Sequence, residues 1–357
     1  MTATQAIGMP FLPPAPSGQV RAFDLGRDLR PVSRLIREAF SPDLDHRGTI
    51  ALREMHWMGH FGGLVKFVNY FTGEFNDYFN GFVWEEDGHV IGNITVQPAD
   101  YSRKRWQIAN VAVRREYRGR GIAKQLMNQA LHHIKESGGD WAVLQVYEQN
   151  EVARHIYEKL GFEYMGGRVD MRLDRVRPHH YTTYAALPVP IDNFQTFSPT
   201  HWQELYDLAH NQYGSQAQWW RALRRSDFYM PFENQIVEWF WRIMGKERLY
   251  RRCVQSIIPS NKNSRYGSPK LTRRFDAALI LTAMRWRGLH NVQLWVRPDQ
   301  YNQYEESLLQ WILHTLQDYP RWPVHINVNN DHERMIDVLT RQGFQQQRTL
   351  LTMRRKI

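Results

Sequence analysis

The chain is nearly devoid of cysteine. Its 357 residues include one, Cys253, which excludes an intrachain disulfide and any zinc site built on paired cysteines. No apolar run approaches the length of a membrane span. The first residues lack the basic, then apolar, then small-residue order of an export signal, and a cytoplasmic protein is the expectation. Both common nucleotide-loop patterns are missing. Gly119 and Gly121 would need a third glycine at 124, where Lys124 stands, and no Gly-Lys-Ser/Thr occurs. Acidic residues are in the minority: 36 Asp and Glu against 46 Lys and Arg leave a formal net charge of +10. Such an excess suits nucleic acid, an anionic surface or an acidic ligand.

What is present describes a globular chain. Hydrophobic residues make up 42% and aromatics 13%, well above the content of a disordered chain. The length fits two domains better than one core. Met1 to Gly18, rich in proline and small residues, reads as a loose tail. Cys253 sits in an apparent strand, where a buried, inert thiol is expected.

The segment with the most chemical content runs from Asn110 to Phe162. Asn110-Val111-Ala112-Val113 ends a strand and leads into Arg118-Gly119-Arg120-Gly121-Ile122-Ala123, which opens a helix at Lys124. Such a turn is a phosphate cradle: glycines let the backbone approach, N–H groups converge and the helix adds its positive end. Farther on stands Asn150-Glu-Val-Ala153-Arg-His-Ile-Tyr157-Glu-Lys-Leu-Gly161-Phe162.

Together these two stretches resemble the signatures of the GNAT acetyltransferases. Arg118-x-x-Gly121-x-Ala123 is similar to the family's coenzyme A loop. Asn150-x-x-Ala153-x-x-x-Tyr157-x-x-x-Gly161-Phe162 is similar to its second motif, in the expected order. The resemblance covers roughly residues 19 to 174. It implies acetyl-CoA as co-substrate and no metal. Backbone groups of Arg118, Gly119, Arg120, Gly121, Ile122, Ala123 and Lys124 would then hold the pyrophosphate. Val111 and Val113 would line the pantetheine arm, with a backbone N–H near Val111 polarising the thioester carbonyl. Asn150 would cap its helix and contact the cofactor arm or a water, and Tyr157 would protonate the leaving thiolate.

Hydrophobic periodicity gives the element order of that family. Strands are expected at Gln19–Asp24, Gly81–Glu86, His89–Gln97, Trp106–Val113 and Ala142–Tyr147, with a last hairpin running to about Asp174. Asp87-Gly88 is a hairpin turn signal. Helices are expected at Leu29–Phe40, across Ile50–Tyr70, from Lys124 to Lys135 and at Glu151–Leu160. Residues 19–175 form the proposed first domain. A proline-bearing linker over 176–197, with a strand at Tyr181–Ala186, leads to a second domain at 198–357. There the pattern returns: helices at Trp202–His210, Ala217–Leu223, Gln235–Ile243, Ser307–Gln317 and Asp331–Arg341, and strands at Leu249–Ile257, Phe275–Trp286, Val292–Val296 and Val324–Val328. Gly343-Phe344 ends its helix as Gly161-Phe162 does. The fold expected is α/β, a mixed and mostly antiparallel sheet flanked by helices, built twice in tandem from a repeat of about 180 residues.

The copies diverge at the chemistry. Gly121 corresponds to Tyr304, Ala123 to Glu306, Asn150 to His332 and Tyr157 to Leu339. A tyrosine denies close backbone approach and a glutamate repels phosphate, so the second copy reads as degenerate.

Acceptor chemistry is less legible. A carboxylate is common just before the Asn110–Val113 segment in similar enzymes, and Ala109 stands there. Glu85, Glu86, Glu148 and a water chain remain open as the base. Met55–Phe67 falls where the family builds its acceptor wall; His56 and His60 within it lack an acidic neighbour for a metal site. Lys246 to Arg287 holds eleven Lys or Arg against Glu247 and Asp276, centred on a basic loop Asn261–Arg274. That loop is read as a solvated segment, with an acidic acceptor, a partner protein or RNA as its functional alternatives. The expected activity is N-acetyl transfer to a small-molecule or peptide amine by direct attack in a ternary complex. The alternative is a non-catalytic acyl-CoA-binding sensor or scaffold.

Overall fold

The computed structural model describes residues 17–40, 80–99, 102–177, 190, 193–212, 228, 247–259, 271–286 and 288–357. Outside them fall the expected helices at 50–70, 217–223 and 235–243, the strand at 181–186, the segment 55–67 with His56 and His60, and most of the basic loop.

Two compact units divide the chain. The first comprises residues 1–145, 155–163 and 353–357, the second residues 146–154 and 164–352.

In the first unit β1 (Gln19–Ala22) is followed by α1 (Leu25–Phe40). The helix starts before the expected Leu29 because Asp24 caps it, its carboxylate accepting from the Gly26 and Arg27 N–H groups at 2.8 and 3.1 Å. Strands β2 (Gly81–Glu86), β3 (His89–Pro98) and β4 (Arg105–Val113) pair antiparallel in order after β1, and β5 (Trp141–Tyr147) joins β4 in parallel. Asp87 and Gly88 both have positive φ, 50° and 72°, the turn whose twist matches a two-residue hairpin. Helix α2 (Ile122–Glu136) covers one sheet face, where Gly92 lets Leu126 and Ile122 come close. α1 covers the other, packing Val32, Leu35 and Ile36 on Val83, Val90 and Ala112. β3 is therefore buried on both faces, as its near-continuous apolar sequence requires.

Helix α3 (Glu151–Lys159) ends in a Schellman turn. Gly161 has φ 78°, and the Phe162 N–H donates to the Tyr157 carbonyl at 3.0 Å. The expected hairpin after it is instead one strand, β6 (Glu163–Leu173), passing without reversal through Gly166 and Gly167. Gly166, at φ 153°, takes a conformation that favours glycine, and the strand keeps its direction through it.

The second unit repeats this order. β7 (Gln195–Thr196) lies inside the expected linker, and α4 (Trp202–Gln212), β8 (Glu247–Pro259), β9 (Leu271–Met284), β10 (His290–Val296), α5 (Glu305–Thr315), β11 (Val324–Asn329), α6 (Glu333–Arg341) and β12 (Gln345–Lys356) follow. Its strand order is β12-β6-β11-β10-β9-β8-β7. β6 thus pairs here, from Leu173↔Val324 to Arg168↔Asn329, although it follows α3 in sequence. Residues 353–357 at the end of β12 belong conversely to the first unit. Asp170 on β6 fixes this register: Arg348 of β12 donates to it at 2.7 Å and His325 of β11 lies at 3.7 Å. Burial works against its charge, but those two partners prevail and hold its carboxyl below the ordinary range. Phe344 closes α6 on the Leu339 carbonyl at 3.0 Å, the same cap as Phe162 on α3. Cys253 is buried on β8 and its thiol is pushed up by burial, the inert placement expected of it.

Candidate functional site

β4 departs from regular pairing where the sequence placed the chemistry. Thr95 faces Ala109 and Asn93 faces Ala112, so Asn110 and Val111 together oppose Ile94. Two residues against one make a β-bulge. Asn110 takes the left-handed conformation, φ 52°, which asparagine tolerates better than most residues with a Cβ. The buried Asn93 amide donates to the Asn110 carbonyl at 3.0 Å, and the Asn110 amide donates to Thr95 Oγ1 at 3.2 Å. β4 pairs with β5 only from Arg105↔Trp141 to Ile108↔Leu144. Beyond Ala109 it continues to Val113 with no β5 partner, an edge on which an extended chain can hydrogen-bond as an added strand.

A single 3-10 turn (Arg115–Tyr117) then leads into the loop. Gly119 and Gly121 have φ 81° and 78°, which is why glycine stands at both. Gly121 is the N-cap of α2 and supplies no side-chain acceptor. The first intrahelical bond runs from the Gln125 N–H to the Gly121 carbonyl at 3.1 Å. The N–H groups of Ile122, Ala123 and Lys124 therefore have no acceptor within the helix. A Cβ built at either glycine meets nothing within 4 Å. Converging N–H groups, open space and the helix dipole fit a pyrophosphate. Arg118 braces the loop, its Nε donating to the Val113 carbonyl at 3.1 Å. Arg120 lies over the Tyr117 ring at 4.8 Å, with Glu86 at 4.0 Å. Lys124 is exposed in the first turn.

Asn150 caps α3, its Oδ1 accepting from the Ala153 N–H at 3.1 Å. Tyr157 is buried to 7% exposure beside Phe162, and burial pushes its phenol up to about 12. The division between units runs through α3. The β4 bulge, the glycine loop and Tyr157 fall in the first unit, and Asn150 in the second.

The candidate bases fare differently. Glu85 is held by Arg21 and Arg27, whose hydrogen bonds keep its carboxyl below the usual range. It belongs to a structural cluster in which Arg21 also grips the buried Asp28 with its two terminal guanidinium nitrogens, at 2.6 and 2.8 Å. Glu86 accepts from Ser17 at 3.0 Å and Trp84 at 3.4 Å, and Glu148 is exposed at the end of β5.

In the second unit the equivalent loop is filled from within. Tyr304 is the N-cap of α5 and is not left-handed, at φ −111°. Asn302 keeps the left-handed conformation, φ 73°, but its N–H donates to the Glu305 carboxylate at 3.1 Å. That carboxylate is buried and lies 2.9 Å from His332 Nε2, while Tyr301 stacks on the His332 ring at 3.9 Å. Burial disfavours the Glu305 charge, but His332 and the loop N–H groups prevail and hold its carboxyl below the ordinary range. An internal anion thus takes the Asn302 N–H of this loop.

Residues 49–162 match the model of the acetyltransferase (GNAT) family. The chain is 28% identical over 160 residues to mycothiol acetyltransferase of Thermobifida fusca, covering 41% of this chain and 43% of that protein. It is 31% identical over 109 residues to a putative [ribosomal protein bS18]-alanine N-acetyltransferase of Bacillus subtilis, covering 30% and 63%. A solved tandem GNAT protein from the clavulanic acid biosynthesis pathway superposes with a TM-score of 0.50 at 12% identity, over 95% of this chain and 98% of its own. The chain thus spans less than two thirds of these curated relatives, and the structural likeness concerns the fold. Two GNAT folds stand in tandem, the second with its donor loop degenerate.

Sequence reasoning missed the roles of four residues here. Asn93 is polar within an apolar strand, a signal that was available. Asn110 carried the left-handed preference of asparagine. The Glu305–His332 pair had no signal, since only folding brings the two side chains together. Among the described residues no group of three or more His, Cys, Asp or Glu gathers as a metal site, and no described helix is long and apolar enough to cross a membrane.

Proposed function

We propose that the first GNAT unit is an acetyl-CoA-dependent N-acetyltransferase acting on an amine acceptor by direct attack in a ternary complex. The observation that carries this reading is the glycine loop: left-handed Gly119 and Gly121, open above, ending in a helix N-terminus without a side-chain cap. Acetyl-CoA supplies an activated thioester. The loop N–H groups from Arg118 to Lys124 bind its pyrophosphate, and Arg120 and Lys124 add positive charge. The unpaired edge of β4 at Val111 and Val113 receives the pantetheine amides. The bulge turns the Val111 N–H toward the thioester carbonyl as an oxyanion donor. Tyr157 keeps its proton through the working pH range and donates to the departing sulfur. Asn150 caps the start of α3.

Glu85, paired with two arginines, is a poor proton acceptor, which leaves Glu86, Glu148 or a water chain among the described candidates; an amine that enters neutral needs none of them. For an amine that enters neutral, kcat/KM should rise about tenfold per pH unit up to the amine's own pKa. Isothermal titration of acetyl-CoA followed by an amine panel, read as thiol release, tests the proposal. One site per chain with turnover is the expected result. One site without turnover on any amine favours the acyl-CoA sensor, which Ala109 and the neutralised Glu85 leave as the second reading. The absence of binding removes both.

Asn93→Ala tests the bulge. Losing the amide that holds the Asn110 carbonyl should lower kcat about tenfold, roughly 1.4 kcal/mol in the barrier. Acetyl-CoA affinity, set mainly at the glycine loop, should change little. An unchanged kcat would detach the bulge from catalysis.

A further inference from the structure

β8 places Arg248, Tyr250 and Arg252 on a single sheet face by strand alternation, and that face meets α5. Tyr250 packs edge-on against Trp311 at 5.8 Å and Tyr319 at 6.3 Å, and its hydroxyl is hydrogen-bonded to that of Tyr319 at 2.8 Å. Each of the three rings carries a guanidinium. Arg248 lies 5.2 Å from the Tyr250 centroid, Arg252 5.3 Å from Trp311, and Arg285 5.5 Å from Tyr319. Among the described residues none of these arginines forms an ion pair. Glu247 and Asp276 are the acidic side chains nearest to them in sequence. Trp286 follows Arg285 with 59% of its surface exposed.

This arrangement is costly for a protein that merely solvates charge. Stacking orders three long side chains, each with about 2 kcal/mol of rotamer entropy, and directs them as planes with their N–H edges free for phosphate. Trp311 and Tyr319 lie far along the chain from the basic stretch. Folding supplies the missing rings.

We propose that this face of the second unit is a binding surface for single-stranded nucleic acid. The guanidinium edges of Arg248, Arg252 and Arg285 contact successive phosphates, and Trp286 and the guanidinium planes receive bases by stacking. Planar, stackable groups favour this occupant over an acidic protein, which needs charge alone. The formal charge of +10 raises the encounter rate without specifying the place.

The test is fluorescence anisotropy of the full chain with a labelled single-stranded RNA of about 12 nucleotides across a salt series. Wild type should bind, with quenching of tryptophan emission. The triple variant R248Q/R252Q/R285Q should lose at least tenfold in affinity and reduce the salt slope by about 2, at roughly 0.7 per released phosphate contact. Two further measurements keep the result interpretable. Circular dichroism and acetyl-CoA binding report whether the variant stays folded. The charge-matched variant R30Q/R34Q/R37Q, on the exposed side of α1, should bind RNA as wild type does. The proposal is overturned if wild type does not bind, if both triple variants weaken equally, or if polyglutamate binds as well as RNA.

Discussion

Gly121→Val is expected to weaken acetyl-CoA binding by at least about 100-fold, close to 2.7 kcal/mol, while the protein stays folded. The two halves of that expectation have separate causes. Gly121 sits at φ 78°, so a side chain there brings left-handed strain of about 1–2 kcal/mol, too little to unfold a domain. Its Cβ meets nothing within 4 Å of the protein, so there is no internal clash to add. The branched side chain instead fills the space over the Ile122, Ala123 and Lys124 N–H groups, which is where a pyrophosphate must approach. Titration calorimetry on the variant measures this directly. Tyr304→Gly makes the reciprocal test in the second unit. Restoring a glycine at that N-cap should create no second site, because the Asn302 N–H already donates to Glu305 and the buried carboxylate repels phosphate. A second binding site in Tyr304→Gly would show that the tyrosine alone blocks the loop. Unchanged affinity in Gly121→Val would remove the loop from cofactor binding.

Tyr157→Phe is expected to lower kcat about 100-fold, the lower end of what a positioned proton donor contributes, with acetyl-CoA affinity retained. The ring is 7% exposed and packs against Phe162, so phenylalanine fills the same volume and stability should move little at neutral pH. Burial raises the phenol to about 12, which keeps the proton in place across the working range. It also makes Tyr157 a weaker acid than an ordinary thiol, by about 3–4 pKa units. Its contribution is therefore a hydrogen bond that strengthens as charge develops on sulfur, with complete transfer uphill. A stability test separates this tyrosine from the others. A phenol raised in the folded state contributes stability that is fully present below its unfolded pKa, near 10. That contribution is lost as pH rises toward the folded value. Wild type should lose up to about 1.4 kcal/mol per pH unit between those values from this group, and Tyr157→Phe should lose correspondingly less. Urea unfolding at pH 9 and 11 measures the difference. A kcat equal to wild type would exclude Tyr157 as the donor.

Much of this protein was legible before folding, for local reasons. Gly161-Phe162 and Gly343-Phe344 end their helices with one cap because a glycine at positive φ followed by an apolar residue encodes that turn within six residues. Asp87-Gly88 fixed its hairpin in the same way. The glycine loop was readable because its conformation needs glycine whatever surrounds it. The substitutions to Tyr304, Glu306, His332 and Leu339 marked the second copy as changed.

What the sequence left open required distant groups to meet. Alternation along β6 says which side chains share a face, yet it names no partner strand. Only the fold pairs β6 with β11 and carries residues 353–357 into the first unit. The reading of a final hairpin failed there because two adjacent glycines suit a turn and an extended strand alike. Glu85 was one of several open candidates for the base, and only the fold puts Arg21 and Arg27 on it. Glu306 was noticed by its charge, whereas the residue that fills the degenerate loop is its neighbour Glu305, committed by His332 across 27 residues of chain. The arginine-bearing face took its aromatic rings from α5 and the turn after it. Short-range backbone chemistry is written in neighbouring residues; the partners of strands and charges are fixed when folding brings remote segments together.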